Sequence, residues 1–274
     1  MKRPSFLTAA LRVFDLSVGQ MLWSRRTVFM ALAVGAPVAI ALVLRTIDVM
    51  GVSVLRINGA QVGGSVIFGG LFWLLYLRFV IPVLGAFYGT SLMSDEIEDR
   101  TITYLFTRPV PRGAVLIGKY LAYLACTELV VLPSLMATYL LLVPVGGGSL
   151  VETFPLLLKD MGILAVGLAV YGAVFALIGA LVPRPLVAGL LLVFGWEQVA
   201  LLVPGYLRRF TIAHYLQALV PHAMPQEDVV TAIQALFSAP PSAVSSLVSL
   251  AIITLVALWL AALTVERREY ILDQ

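Results

Sequence analysis

The chain has 274 residues, 61% hydrophobic and 12% charged, with a formal net charge of +3 and a mean hydropathy of +1.00. Soluble domains carry about 25% charged residues, and a soluble particle this apolar would have no surface to show water, so composition assigns the chain to membranes. The basic excess is read as Lys and Arg in cytoplasmic loops and not as nucleic-acid binding, because no basic stretch carries stacking aromatics at regular spacing. The single cysteine, Cys126, sits in an apolar run. It excludes an intrachain disulfide and a cysteine-based metal cluster, and reads as a small buried apolar residue.

Residues 1–26 precede the first long apolar run. Phe6, Ala10, Val13, Phe14 and Met21 fall at helical spacing on one face, with Leu7 and Val18 at its edge and Arg12 and Asp15 elsewhere. The pattern predicts an amphipathic helix lying in the headgroup region; the plainer alternative is a frayed cationic tail. Ser24-Arg25-Arg26-Thr27 has the look of a twin-arginine export signal. The apolar run behind it ends in Arg45 without a clear small-residue cleavage site, so Arg25 and Arg26 read as anchors of a first span.

About 20 apolar residues cross a bilayer. Six candidate spans follow, at 27–45, 66–93, 114–145, 160–182, 186–204 and 244–264. The third would reach about 48 Å at 1.5 Å per residue, longer than a hydrocarbon core of roughly 30 Å, so it is expected to tilt or to project near Lys119. Pro37, Pro82 and Pro133 lie inside spans and are expected to kink them. With the N-terminus inside, twelve Lys and Arg fall on the cytoplasmic side and five outside (Arg45, Arg56, Lys159, Arg208 and Arg209), which places both termini in the cytoplasm. The turn Val182-Pro183-Arg184-Pro185 makes the fourth and fifth spans antiparallel neighbours. The outer segment 205–243, broken by Pro221, Pro225, Pro240 and Pro241, is expected to form short helices on or in the outer leaflet.

Charges inside spans need an account. Arg78, Glu128 and Glu197 lie near the middles of the second, third and fifth spans. If the second and third spans are antiparallel neighbours, Arg78 and Glu128 sit at similar depth. They then read as a structural pair, as a polar lining for a transport path, or as part of a proton relay. Glu197 has no partner apparent in the sequence and reads as a packing group at a subunit interface or as facing a water-filled cavity. Gly85-x-x-x-Gly89, and Gly172, Ala176 and Gly179, form small-residue stripes that suit packing within one subunit or between two. His214, His222 and Met224 are of the types that bind copper or zinc, and equally of the types that make polar surface. No protease nucleophile elbow occurs and no histidine lies in a span to act as base. No complete G-x-x-x-x-G-K-[ST] occurs either, so the chain is not expected to hydrolyse ATP by that route, and no cofactor is expected.

The densest polar segment is 94–119. Met93, Ile97, Thr101, Tyr104 and Leu105 follow one helical face. Asp95, Glu96, Glu98 and Asp99 crowd the other and suit a helix N-terminus. Pro109 and Pro111 end that helix, and Arg108 and Arg112 come to headgroup level before the next span. On physics alone this is either a solvated loop with anchoring arginines or a surface that touches a partner.

This segment resembles the cytoplasmic loop between the second and third spans of type-2 ABC transporter permeases, through Glu96, Thr101, Leu105, Pro109, Arg112, Gly118 and Lys119. Arg100 stands where that family often has glycine. Phe194-Gly195-Trp196-Glu197, with 208–219 after it, is similar to the fifth span and outer segment of one branch of the family. The resemblance implies an all-α membrane protein, 1–274 forming one permease domain of six transmembrane helices. An interfacial helix (1–26) precedes them, a cytoplasmic coupling helix (in 94–113) lies between the second and third, and short outer-leaflet helices (205–243) lie between the fifth and sixth. It further implies an exporter subunit in the cell membrane. The path would be formed with a second permease, identical or not, and driven by separate ATP-binding cassette ATPase subunits. Asp95, Glu96, Glu98, Asp99, Arg100, Thr101, Pro109 and Arg112 would form the ATPase-coupling surface. The competing expectations are a membrane anchor with no transport path of its own, and a secondary transporter.

Overall fold

The computed structural model describes residues 5–22, 25–51, 56–57, 60–61, 63–93, 112–202, 209–221 and 241–267. Helix α1 is Phe6–Leu22 and α2 is Arg25–Val49, with Pro37 inside it. A two-residue ribbon, β1 (Arg56–Ile57) paired antiparallel with β2 (Ala60–Gln61), is a small departure from the all-α expectation. Helix α3 runs Gly64–Met93. It is followed by α4 (Arg112–Leu142), α5 (Leu150–Leu181) and α6, which starts with the turn Pro185–Leu190 and ends with Glu197–Leu202. The short α7 is Ile212–Gln217 and α8 is Ala243–Arg267.

Among the described residues, α2, α3, α4, α5 and α8 are long and apolar enough to cross a membrane. The expected fifth span, 186–204, appears instead as a shorter apolar helix, Pro185–Ala200. The fourth span also differs. It begins at Leu150 and not at 160, because Ser149 caps it by accepting from the Glu152 amide.

Helix α5 is the hub, packed against α3, α4, α6 and α8. Both small-residue stripes are spent inside the subunit. A Cβ on Gly85 would meet the Tyr171 Cβ at 2.9 Å, one on Gly89 the Phe175 Cβ at 2.8 Å, and one on Gly179 the Thr90 carbonyl oxygen at 2.3 Å. On the other side of α5, a Cβ on Gly172 would meet the Tyr123 ring at 2.1 Å. The Tyr123 and Tyr120 hydroxyls then donate to the Leu168 and Ala169 carbonyls at 3.1 and 2.8 Å. A second hydroxyl cluster ties α2, α3 and α4 together. Tyr76 lies 2.7 Å from Ser134 Oγ and 2.9 Å from Thr138 Oγ1, and Ser134 donates to the Val34 carbonyl at 2.8 Å.

The N-terminal helix packs most of its apolar face against the bundle: Ala10 is buried, and Val13 and Met21 pack on the core. Its buried residues are small, Ala9, Ala10 and Ser17, while Phe6, Leu7, Leu11 and Leu16 are exposed. The reason is close approach. Ala9 and Ala10 cluster with Ala114 of α4, and a Cβ on Gly118 would meet the Ala10 carbonyl oxygen at 2.5 Å. The backbones approach closely, and Leu7, Leu11 and Leu16 are left exposed. The same end of the bundle holds the last turn of α8, since a Cβ on Gly113 would lie 3.6 Å from Glu266 Oε1 and 3.7 Å from the Phe6 ring. At the opposite end α4 turns into α5 through Val145–Gly147, where Gly146 and Gly147 have φ of 70° and 85°, a region that suits glycine.

Candidate functional site

Helix α3 is not regular. Phe72–Val80 and Gly85–Gly89 are wound as π-helix, and the Ile81 amide donates to the Tyr76 carbonyl five residues back. Proline accounts for part of this: Pro82 has no N–H to give, so the regular ladder fails around it. The middle of α6, Leu191–Trp196, is also π-wound, and the Glu197 amide donates to the Leu192 carbonyl. Arg78 therefore stands in one π segment, and Glu197 follows directly on another.

These two charges are brought together. Glu197 is buried at 4% exposure, and the Tyr171 hydroxyl of α5 donates to its Oε2 at 2.5 Å. Arg78 is its electrostatic partner without forming a direct ion pair, and the backbone amides of Ile212 and Ala213 at the start of α7 point to the same carboxylate. Oε1 is buried and makes no direct hydrogen bond of ordinary geometry among the described residues. The Arg78 guanidinium lies 4.7 Å from the Trp73 ring centroid, a cation–π arrangement that offsets some of the cost of placing it among apolar helices.

This corrects the expected Arg78–Glu128 pairing. Glu128 is half-buried on α4, with Tyr120 and Tyr123 as its electrostatic neighbours, and Arg78 faces α5 and α6 instead. Glu197, which showed no partner in the sequence, is the group around which three helices and an outer-segment helix meet. One participant, Tyr171, was not singled out from the sequence; its position on the buried stripe of α5 was the available signal. Asp160, at the edge of the expected span 160–182, is fully buried in α5, about 15 Å along it from Leu150.

The polar segment supplies less. Asp95, Glu96, Glu98, Asp99, Arg100, Thr101 and Pro109 lie outside the described residues, and Arg112 is described only as the start of α4. What is described are its two flanks: Met93 ends α3 buried, and Ala114, Val115 and Leu116 begin α4 buried. Gly113 to Lys119 have the G-x-x-x-x-G-K spacing, but the run is helical and Tyr120 stands where a serine or threonine would hold magnesium. His214 lies on α7 edge-on to Tyr215 at 5.4 Å, while His222 and Met224 are outside the described residues.

A bundle of long apolar helices with a buried charge cluster defines a multi-pass membrane protein. A family model described as ABC-2 family transporter protein matches residues 20–270. The chain belongs to that family and is a permease of the type-2 ABC transporters, a membrane transport component that works in a complex with ATPase subunits. A comparison with curated proteins found no match.

Proposed function

We propose that this permease is an exporter subunit of the cell membrane. It forms its path with a second permease and is driven by separate ATP-binding subunits that dock on 94–113. One observation supports this most: the start of α4, one flank of the segment, lies beside the first turn of α1 and the last turn of α8. Phe6 of α1, Gly113 of α4 and Glu266 of α8 converge at one end of the bundle. Taken as the cytoplasmic end, it collects Arg12, Arg112, Lys119 and Arg267 of the described residues, in keeping with the positive-inside rule. The buried end of α3 and the buried start of α4 on either side of the segment would carry a push at 94–111 straight into the bundle. In this reading Arg78, Glu128 and Glu197 are intramembrane polar groups of the permease and not coupling-ion sites.

The test reverses two charges, Glu96→Lys with Arg112→Glu, in membranes that contain the whole complex. Loss of the co-purifying ATPase, and of its stimulation by this subunit, is the expected result. Normal assembly and normal transport in the double variant would sink the docking role. Isolation of the unaltered chain with no ATPase at all would favour the anchor reading.

A further inference from the structure

Glu128 is a mid-span charge that no described residue pairs with. It sits at the middle of the Gly113–Leu142 span. At 1.5 Å per residue it is about 20 Å along the helix from either end, too deep for its short side chain to reach the headgroups. The side chain is half-buried and makes no hydrogen bond or ion pair among the described residues. Its electrostatic neighbours are Tyr120 and Tyr123, and these give their hydroxyl protons to the Ala169 and Leu168 carbonyls. The surface around Glu128 has the form of a helix seam. Leu121, Ala125, Glu128, Leu132 and Met136 recur at steps of three and four residues and so share one side of α4. Leu121 and Met136 are each 42% exposed, Ala125 is exposed, and Leu132 is half-buried.

We propose that this seam receives a transmembrane helix of a different membrane protein, and that a lysine or arginine at the middle of that helix pairs with Glu128. The carboxylate selects the charge. Ionisable groups at this depth pair with one another or line water, and water-lined paths need polar walls, whereas every other residue of the seam is apolar. The apolar residues select a helix as the occupant, and Ala125, one turn before Glu128, lets its backbone come close to the carboxylate. A second copy of this chain fits poorly. A two-fold contact repeats the same patch on both sides, so Glu128 would face its own copy. Arg78, near the middle of its span, is already engaged by Glu197 and Trp73. The proposal needs only that α4 spans the membrane and does not depend on how the ATPase docks.

The full chain in phosphatidylcholine vesicles is mixed with increasing amounts of synthetic apolar helices of about 20 residues. These lack tryptophan, end in a dansyl group and carry one central Lys, Gln, Glu or Leu. Energy transfer from the chain's tryptophans reports association, with the Leu helix as background. The Lys helix is expected to bind at least about tenfold more tightly than the Leu and Glu helices. Glu128→Gln should remove that preference, and Glu128→Lys should turn it toward the Glu helix. Ala125→Phe keeps the charge and closes the seam, and should weaken the Lys helix at least about tenfold. Equal binding of the Lys and Leu helices overturns the proposal, as does a Lys preference that survives Glu128→Gln or Ala125→Phe. Tighter binding of the Gln helix would make the contact a neutral hydrogen bond and rule out the basic partner. A disulfide between copies carrying Ala125→Cys in a Cys126→Ala background would seat a second copy on the seam and overturn the proposal as well.

Discussion

Gly179→Ala tests the packing on which the site rests. A Cβ at Gly179 would stand 2.3 Å from the Thr90 carbonyl oxygen, 3.1 Å from the carbonyl carbon and 3.2 Å from the Cα. All three are backbone atoms of α3, so no side chain can swing aside. Ordinary contact starts near 3.4 Å, and α3 and α5 must separate by about 1 Å at that level. Overpacking of this kind costs about 1–3 kcal/mol, with backbone clashes at the upper end. The better helix propensity of alanine returns up to about 1 kcal/mol, leaving a net loss of about 2 kcal/mol. Gly162→Ala on the same helix is the control, because nothing lies within 4 Å of its added Cβ; it should be neutral or stabilising. Reversible unfolding of the two variants in bicelles should separate them by about 2–3 kcal/mol, with oligomeric state unchanged. If Gly179→Ala proves as stable as Gly162→Ala, or if it alters association between copies while the single chain keeps its stability, the stripes do not pack α3 against α5.

Tyr171→Phe removes the donor to Glu197 while keeping the ring. Hydrogen bonds between membrane helices average about 0.6 kcal/mol and reach about 1.7; this one serves a buried carboxylate and belongs at the upper end, so amide exchange across 209–217 should quicken about tenfold as α7 loosens. Unchanged protection there would mean that Glu197 does not hold α7. Gly118→Ala would drive a Cβ to 2.5 Å from the Ala10 carbonyl oxygen and 2.9 Å from the Val13 Cβ. It should dislodge α1, seen as cleavage between α1 and α2 by added protease at limiting concentrations, and persistence of the unaltered digestion pattern would count against that contact.

Much of the fold was legible because the bilayer imposes a simple rule: long apolar stretches become helices, and their ends fall at charges. Thus Gly64–Met93 and Ala243–Arg267 lie close to where hydropathy placed them. The misplaced boundaries have local causes. Residues 150–159 include Glu152 and Lys159, which lower the hydropathy, yet a Ser149 cap starts the helix before them. The apolar face of the N-terminal helix was largely legible, since Ala10, Val13 and Met21 are the residues that pack on the bundle. What periodicity did not give is the close backbone approach that takes Ala9 and Ser17 inside and leaves Phe6 exposed. The partner of Arg78 was illegible for a geometric reason. A regular helix fixes which residues share a face at 3.6 per turn, and a π segment shifts that register. Depth alone suggested Glu128, whereas the side toward which Arg78 points depends on the winding of Phe72–Val80.

The same winding bears on how the permease would move. A π segment lacks the regular i→i+4 ladder that makes an α-helix stiff, and such segments recur at functional sites. Here one of them, Gly85–Gly89, lies between Arg78 and the Met93 end of α3, with Pro82 between it and the arginine. A push delivered at 94–111 would meet these interruptions before it reached the charge cluster. The second half of that cluster, Glu197, is mounted directly after the π segment of α6. Both charges are thus carried on the two least regular helices, while the groups that fix them, Tyr171 and the tight Gly89–Phe175 contact, belong to or pack on the continuous helix α5. That division fits a rigid post with two adjustable neighbours, and it locates any rearrangement of the Arg78–Glu197 pair in α3 and α6 and not in α5.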